Sequence, residues 1–106
     1  MGKNRIIKIL GNVIGNIVVH KILIKHTNKP ESLNHLESEV DAYRDNALEI
    51  ANEFNWNKKD LEEIKSEALK KFERDMKKYY SDVKFPINES DKLIEKTLKE
   101  IIIKLP

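Results

Sequence analysis

A stripe of apolar residues in the second quarter of the chain constrains the fold more than any other feature. Its members recur at alternating intervals of three and four residues: Leu33, Leu36, Val40, Tyr43, Ala47, Ile50 and Phe54. This spacing keeps the side chains on one narrow face of an α-helix, whereas the side chains of a β-strand change face at every residue. The stripe therefore predicts a helix that buries one face and lies on the outside of a larger helical body.

Helical spacing continues through the rest of the chain and predicts an all-α protein. We expect a compact four-helix bundle with short loops, its helices covering about 4–27, 31–54, 58–81 and 89–104. With only 3 Gly and 3 Pro, the sequence has few of the residues that a many-stranded β fold needs for its turns. The 106 residues contain no long linker and no internal repeat, so we predict a single helical domain over residues 1–106.

The first predicted helix is apolar on more than one side. Its first turns are amphipathic, but Val19, Ile22 and Leu23 extend the apolar surface to the opposite side. This pattern predicts that the first helix is the central one. Because β-branched residues are frequent here, a buried strand over 17–25 is the alternative. We favour the helix, since no later segment resembles a partner strand.

Two asparagines mark predicted helix starts. Asn57 and Asn88 are each followed three residues later by an aspartate, Asp60 and Asp91, which is the spacing of a capping box. Each asparagine is therefore expected to cap the helix that follows it. Trp56 precedes the first of these caps, and there we expect a structural corner rather than a platform for stacking a ligand.

The net charge of +2 conceals two opposite blocks. Residues 1–29 carry six cationic residues and no acidic residue, and residues 30–55 carry seven acidic residues against Arg44 alone. Opposite charges joined by a short linker attract each other at close range. We therefore expect the first two helices to pack beside each other.

Two glycines one helical turn apart favour a close contact with another helix. Gly11 and Gly15 lie opposite the isoleucine stripe of the first helix, where either a second copy or another helix of the same chain fits. Together with two apolar runs they define a candidate self-association surface: Gly11, Gly15, Val19, Ile22, Ile102 and Ile103. From this surface we predict a non-enzymatic protein-interaction or adaptor module that forms a homodimer or binds another protein.

A basic patch defines the alternative function. The C-terminal half of the third helix places Lys70, Arg74 and Lys77 near two tyrosines. Nucleic-acid binding requires cations on one face, with aromatic rings on which bases stack. Acidic residues interrupt the patch, and cations near a helix C-terminus are favoured in any case. The alternative is therefore a nucleic-acid-binding protein that uses these three cations.

The sequence shows no pattern for catalysis, metal binding or cofactor binding. It has no cysteine and no glycine-rich phosphate loop. Glu31, His35 and Glu39 share a helical face, but that face points to water, unlike the inward-facing ligands of a metal site in a bundle. His20 lies among apolar residues, where a hydrogen-bonded core histidine is expected. We predict no enzyme activity, no catalytic residue, no metal ligand and no cofactor.

The N-terminal region predicts a cytoplasmic protein. No uninterrupted apolar stretch is followed by a small-residue cleavage site, as a signal peptide would require. The first helix also includes Lys8, Asn12 and Lys21, which are polar enough that we expect no membrane span.

Overall fold

The computed structural model describes residues 3–26, 33–86 and 88–102. Within these ranges it contains no β-strand and four α-helices: α1 (Lys3–His26), α2 (Leu33–Asn52), α3 (Lys58–Tyr79) and α4 (Glu89–Ile101). The predicted all-α four-helix fold is confirmed. Residues 17–25 belong to α1, so the helix and not the strand is the observed conformation.

The helix ends differ from the predicted bounds by a few residues. α2 ends at Asn52, and Phe54 of the predicted stripe lies in the bend that follows. α3 ends at Tyr79, after which the N–H of Tyr80 donates to the carbonyl of Met76 at 3.0 Å. Some residues predicted to be helical lie outside the described ranges, namely 27, 31, 32, 103 and 104.

α1 is the central helix, as predicted. Among the described residues it contacts each of the other three helices, whereas α2 and α3 do not contact each other. Five of its side chains are completely buried: Leu10, Ile14, Ile17, Val18 and Ile22. Full burial of one aliphatic side chain of this size contributes about 1.5–3 kcal/mol to folding. Because α1 has more buried apolar residues than any other helix, it supplies the largest share of the core.

α1 and α3 run in the same direction, and α2 and α4 run against them. At the start of α1, Lys3 Nζ lies 2.7 Å from a carboxylate oxygen of Asp60 in the first turn of α3. Lys3 also donates to the backbone carbonyl of Asn55, just beyond the end of α2. At the other end of α1, His26 Nε2 lies 2.6 Å from Glu89 at the start of α4. The helices thus alternate in direction along the chain, with the two parallel helices in direct contact.

Two glycines permit the contact between α1 and α3. A Cβ atom placed on Gly11 would lie 2.5 Å from Glu67 Cβ and 3.2 Å from the carbonyl oxygen of Ile64. A Cβ atom placed on Gly15 would lie 2.9 Å from the carbonyl oxygen of Ala68. Packed helix backbones cannot move aside as a flexible side chain does, so a side chain here would force the helices apart. The sequence left open whether a second copy or another helix of the same chain packs on these glycines. In the structure it is a helix of the same chain, α3.

The other helices each turn an apolar stripe towards α1. The buried apolar side chains beyond α1 are Val40, Ala47 and Ala51 of α2, Ile64, Ala68, Phe72 and Met76 of α3, Ile94 and Ile101 of α4, and Trp56 and Ile102 between or after helices. The stripe of α2 is narrow, and most of the residues between its members are exposed. α2 therefore lies on the outside of the bundle, as its spacing predicts.

Asn57 caps α3 as predicted, whereas Asn88 does not cap α4. The N–H of Asp60 donates to Asn57 Oδ1 at 2.8 Å, and the N–H of Asn57 donates to Asp60 Oδ2 at 3.2 Å. Asn88 has φ −80° and ψ −11°, a helical conformation from which its side chain makes no capping hydrogen bond. Trp56 forms a corner, because its ring is buried and its indole N–H donates to the carbonyl of Ala51 at 2.9 Å.

The predicted packing of α1 beside α2 is confirmed, but charge attraction does not explain it. The described ion pairs made by the lysines of α1 are Lys3–Asp60, Lys21–Glu100 and Lys25–Glu89, and their carboxylates belong to α3 and α4. Among the described residues, no lysine or arginine of α1 pairs with a carboxylate of α2, and the side-chain contact of His20 with Glu39 joins the two helices. Burial of apolar surface therefore holds α2 against α1.

Replacing Gly15 by valine tests the close contact between α1 and α3. Valine and glycine differ little in helix propensity, so the variant isolates the clash with the Ala68 carbonyl. Because overpacking of this kind costs about 1–3 kcal/mol, we expect the free energy of unfolding to fall by about 2 kcal/mol. Urea denaturation followed by circular dichroism measures the change. The control is Asn12→Val at an exposed position of the same helix, and equal stability of the two variants would contradict the contact.

Acid should destabilise the fold through two carboxylates that hold the ends of α1. The hydrogen bond from Lys3 holds the pKa of Asp60 below its ordinary value, and the hydrogen bonds from Lys25 and then His26 do the same for the pKa of Glu89. A folded-state pKa below the unfolded value stabilises the fold above the unfolded pKa, and this stabilisation is lost as the pH falls through the folded pKa. The loss should therefore begin near the ordinary values of 3.8 for Asp60 and 4.5 for Glu89.

Urea denaturation at a series of pH values checks this prediction. The variant E89Q should be less stable than the wild type at neutral pH and should lose less stability on acidification. Glu62 is an exposed residue of α3, and E62Q should follow the wild-type pH profile. If E89Q and the wild type lost the same stability in acid, Glu89 would have no part in the effect.

Candidate functional site

α3 presents a basic face on the side away from its core stripe. Its apolar positions are buried against the bundle, as shown by Ile64, Ala68, Phe72 and Met76. At 3.6 residues per turn, residues three or four positions apart share one side of a helix. On the outward side these residues are Lys70, Arg74, Lys77 and Lys78, which together form the basic face of α3. The three cations predicted as a nucleic-acid site thus lie together on one exposed face.

The basic face is open to solvent and is only partly neutralised. The side chains of Lys70 and Arg74 are 70% and 62% exposed. Their nearest carboxylates are distant for ion pairs: Lys70 lies 3.9 Å from Glu67, and Arg74 lies 4.0 Å from Asp75. The other two lysines of the face are exposed and pair with no carboxylate among the residues that the structure describes. Most of the positive charge is therefore available to a partner.

Tyr79 adds an exposed aromatic ring at the end of the basic face. Its side chain is 62% exposed, more than any other large apolar side chain among the described residues. The Nζ of Lys78 lies 5.2 Å from the centroid of the Tyr79 ring, within the range of a cation–π interaction. Tyr80 is half-buried, with its ring centroid 6.3 Å from that of Tyr79. One tyrosine thus packs at the edge of the core, and the other is presented to solvent.

The residues predicted for self-association are covered within the chain. The described members of that surface are all buried, namely Gly11, Gly15, Val19, Ile22 and Ile102. Ile103 lies outside the described residues. In this fold α3 covers Gly11 and Gly15, and the other described members belong to the apolar core of the same chain. Self-association stays a prediction.

Glu39 joins two histidines between α1 and α2. One of its oxygens lies 2.8 Å from His35 Nε2, and the other contacts His20 Nε2. The Nδ1–H of His20 donates to the backbone carbonyl of Asn16 at 2.8 Å, so His20 is hydrogen-bonded as expected, although it lies at the edge of the core rather than within it. The sequence predicts that the face of α2 with Glu39 points to water, but Glu39 contacts α1 as well. Glu31 lies outside the described residues. Among the residues that are described, no group of three or more His, Asp or Glu side chains is placed to hold a metal ion.

α1 is, by length and composition, the one described helix apolar enough to cross a membrane. Its most apolar stretch has a mean hydropathy of 1.6, and 61% of that stretch is buried among the other helices. α1 passes this test although it includes three polar residues, Lys8, Asn12 and Lys21. In the present fold α1 has the role of a core helix.

One charged cluster was not predicted from the sequence. Lys21 of α1 and Arg44 of α2 both face the same oxygen of Glu100 of α4, at 3.5 and 3.6 Å. The sequence contained two partial signals, since Lys21 interrupts an apolar run and Arg44 is the one cation of the acidic block. Neither signal shows that the two residues meet, because three separate helices bring them together.

Comparison with known proteins gave no match: no family model, no curated protein and no solved structure is similar enough to the chain to identify a relative.

Proposed function

We propose that this chain is a non-catalytic binding module that holds a nucleic acid through its phosphate backbone on the basic face of α3. The observation that carries the proposal is the placement of four exposed cations on one face, with the exposed ring of Tyr79 at its end. Cations attract phosphates and release counterions on binding, and an exposed aromatic ring offers a surface on which a base stacks.

Helix stability alone does not account for the basic face. Cations in the last turn of a helix are favoured by the macrodipole, an effect that falls off within that turn. It explains Lys77 and Lys78 but not Lys70 and Arg74, which lie further from the end of α3. Between residues 70 and 80 the chain carries five cationic and two acidic residues, a local charge of +3.

The same residues favour binding that is independent of base sequence. The basic face supplies cations at the outside of a helix, and cations that contact phosphates position a nucleic acid without reading its sequence. We expect dissociation constants in the range of about 10⁻⁴–10⁻⁶ M at physiological salt, which is typical of non-specific binding.

Fluorescence anisotropy with labelled single-stranded and duplex oligonucleotides tests the proposal. If the four cations each contact a phosphate of the duplex, the logarithm of the binding constant should fall with the logarithm of the salt concentration with a slope of about −3 to −4. The variant K70E/R74E/K77E should lose most of the binding and most of this slope. Tyr79→Ala should weaken binding to the single strand more than to the duplex, because bases stack on the ring only where they are unpaired.

A second triple variant controls for total charge. K58E/K92E/K99E replaces three exposed lysines elsewhere and changes the net charge by the same amount. It should retain most of the binding, and circular dichroism should show both variants to be helical. Equal loss of binding in the two triple variants would contradict a site on the basic face of α3, and no binding by the wild type at low salt would contradict nucleic acid as the partner.

A further inference from the structure

Three helices bring two cations to one carboxylate oxygen. Lys21 Nζ and Arg44 Nη2 lie 3.5 and 3.6 Å from the same oxygen of Glu100. Both distances exceed that of a strong charge-assisted hydrogen bond. The carboxylate of Glu100 thus lies between the two cations without binding either of them tightly.

The cluster has more positive than negative charge. Lys21 is largely buried, with a side chain 17% exposed, and its ammonium donates to the hydroxyl of the fully buried Thr97 at 3.0 Å. Burial lowers the pKa of Lys21, Glu100 opposes this effect, and the positive charges of Arg44 and Lys96 add to it. On the outer side Arg44 is 3.9 Å from Asp41, whose exposed side chain neutralises it weakly.

Arg44 also has a donor without a partner. Its Nε is buried and makes no hydrogen bond among the described residues. The Nε–H and one terminal nitrogen form the edge of a guanidinium that binds an oxyanion in a bidentate manner. Here the terminal Nη2 faces Glu100 at long range and Nε faces no acceptor. A buried donor without an acceptor is costly, and a ligand with two oxygens would satisfy both nitrogens of this edge.

We infer that Lys21, Arg44 and Thr97 form a binding site for a small phosphate-type oxyanion, and that Glu100 occupies this site in the free protein. Glu100 is 38% exposed, so its side chain can rotate into solvent without opening the core. The oxyanion then receives two parallel hydrogen bonds from Arg44, the charge of Lys21 and the hydroxyl of Thr97. A phosphate dianion matches the two positive charges that Glu100 leaves behind.

The site does not involve α3 and does not depend on the proposed nucleic-acid function. The site is formed by one residue from each of three helices: Lys21 of α1, Arg44 of α2 and Thr97 of α4. The basic face lies on the outward side of α3. The phosphate site is therefore testable in a protein whose basic face has been removed.

Titration with inorganic phosphate, followed by amide chemical shifts in NMR spectra at constant ionic strength, tests the inference. E100Q removes the competing carboxylate, and we expect it to bind phosphate about tenfold more tightly than the wild type does. R44Q should lose the site, and the amides that shift in E100Q should belong to residues around 21, 44 and 97. A parallel titration with a phosphate monoester identifies the source of the phosphoryl group. A lower dissociation constant for inorganic phosphate indicates free phosphate, and a lower one for the monoester indicates a phosphoryl group on a larger molecule.

Matched controls separate the site from general attraction of anions. Glu95 lies on the same helix and pairs with Lys65 at 2.8 Å, so E95Q removes an equal charge outside the cluster and should leave phosphate affinity unchanged. K70E/R74E/K77E should bind phosphate as the wild type does. Equal affinity in E100Q and E95Q would overturn the inference, as would shifts confined to α3 or no shifts at all in E100Q. Tighter binding in E100Q that R44Q abolishes would support it.

Discussion

The contact between α1 and α3 at Gly11 and Gly15 is the interaction on which the rest of the fold depends. With no side chain at either position, the backbone of α1 approaches the carbonyl oxygens of α3. This approach buries one side of α1 along its length and makes the two helices a single packing unit. α2 and α4 then cover the remaining apolar surface of α1. Among the described residues α2 and α3 make no contact with each other, because each of them packs on α1.

The position of α3 also determines which surface is free for function. α3 uses Ile64, Ala68 and Phe72 against α1, so the outward side carries the cations of the basic face. Three lysines of α1 have a different role: Lys3, Lys21 and Lys25 pair with carboxylates of α3 and α4 at the rim of the core. The two cationic regions therefore have separate roles: one joins helices, and the other is presented to solvent.

Much of the fold was predictable because the spacing of apolar residues along a helix predicts which face of the helix is buried. The stripe of α2 from Leu36 to Ile50, the apolar end of α1 and the capping box of Asn57 with Asp60 each appear in the structure as the sequence predicts. Phe54, the last predicted member of the stripe, lies beyond the end of α2 and is exposed. The prediction that Asn88 caps α4 was wrong, because the backbone of Asn88 is already helical. Residue spacing alone does not show the backbone conformation.

The partners of side chains were less predictable than the helices. A glycine pair shows that a helix approaches closely but not whether it belongs to the same chain, and the blocks of opposite charge did not identify which carboxylate each lysine meets. The three cations that the sequence predicts, Lys70, Arg74 and Lys77, share one face as helical spacing requires. The cluster of Lys21, Arg44 and Glu100 does not, because it depends on how α1, α2 and α4 pack in three dimensions.

α1 is buried within one chain through its contact with α3. Native-state hydrogen exchange measured by NMR tests this burial. We predict that amide protons of residues 14–19 exchange most slowly, with a free energy of opening equal to that of global unfolding. Their rates should also be the same at low and high protein concentration. Faster exchange in these residues than in α4 would show that α1 is not the best-protected helix of the core, and protection that increases with protein concentration would show that another molecule covers it. Either result would contradict burial of α1 within one chain.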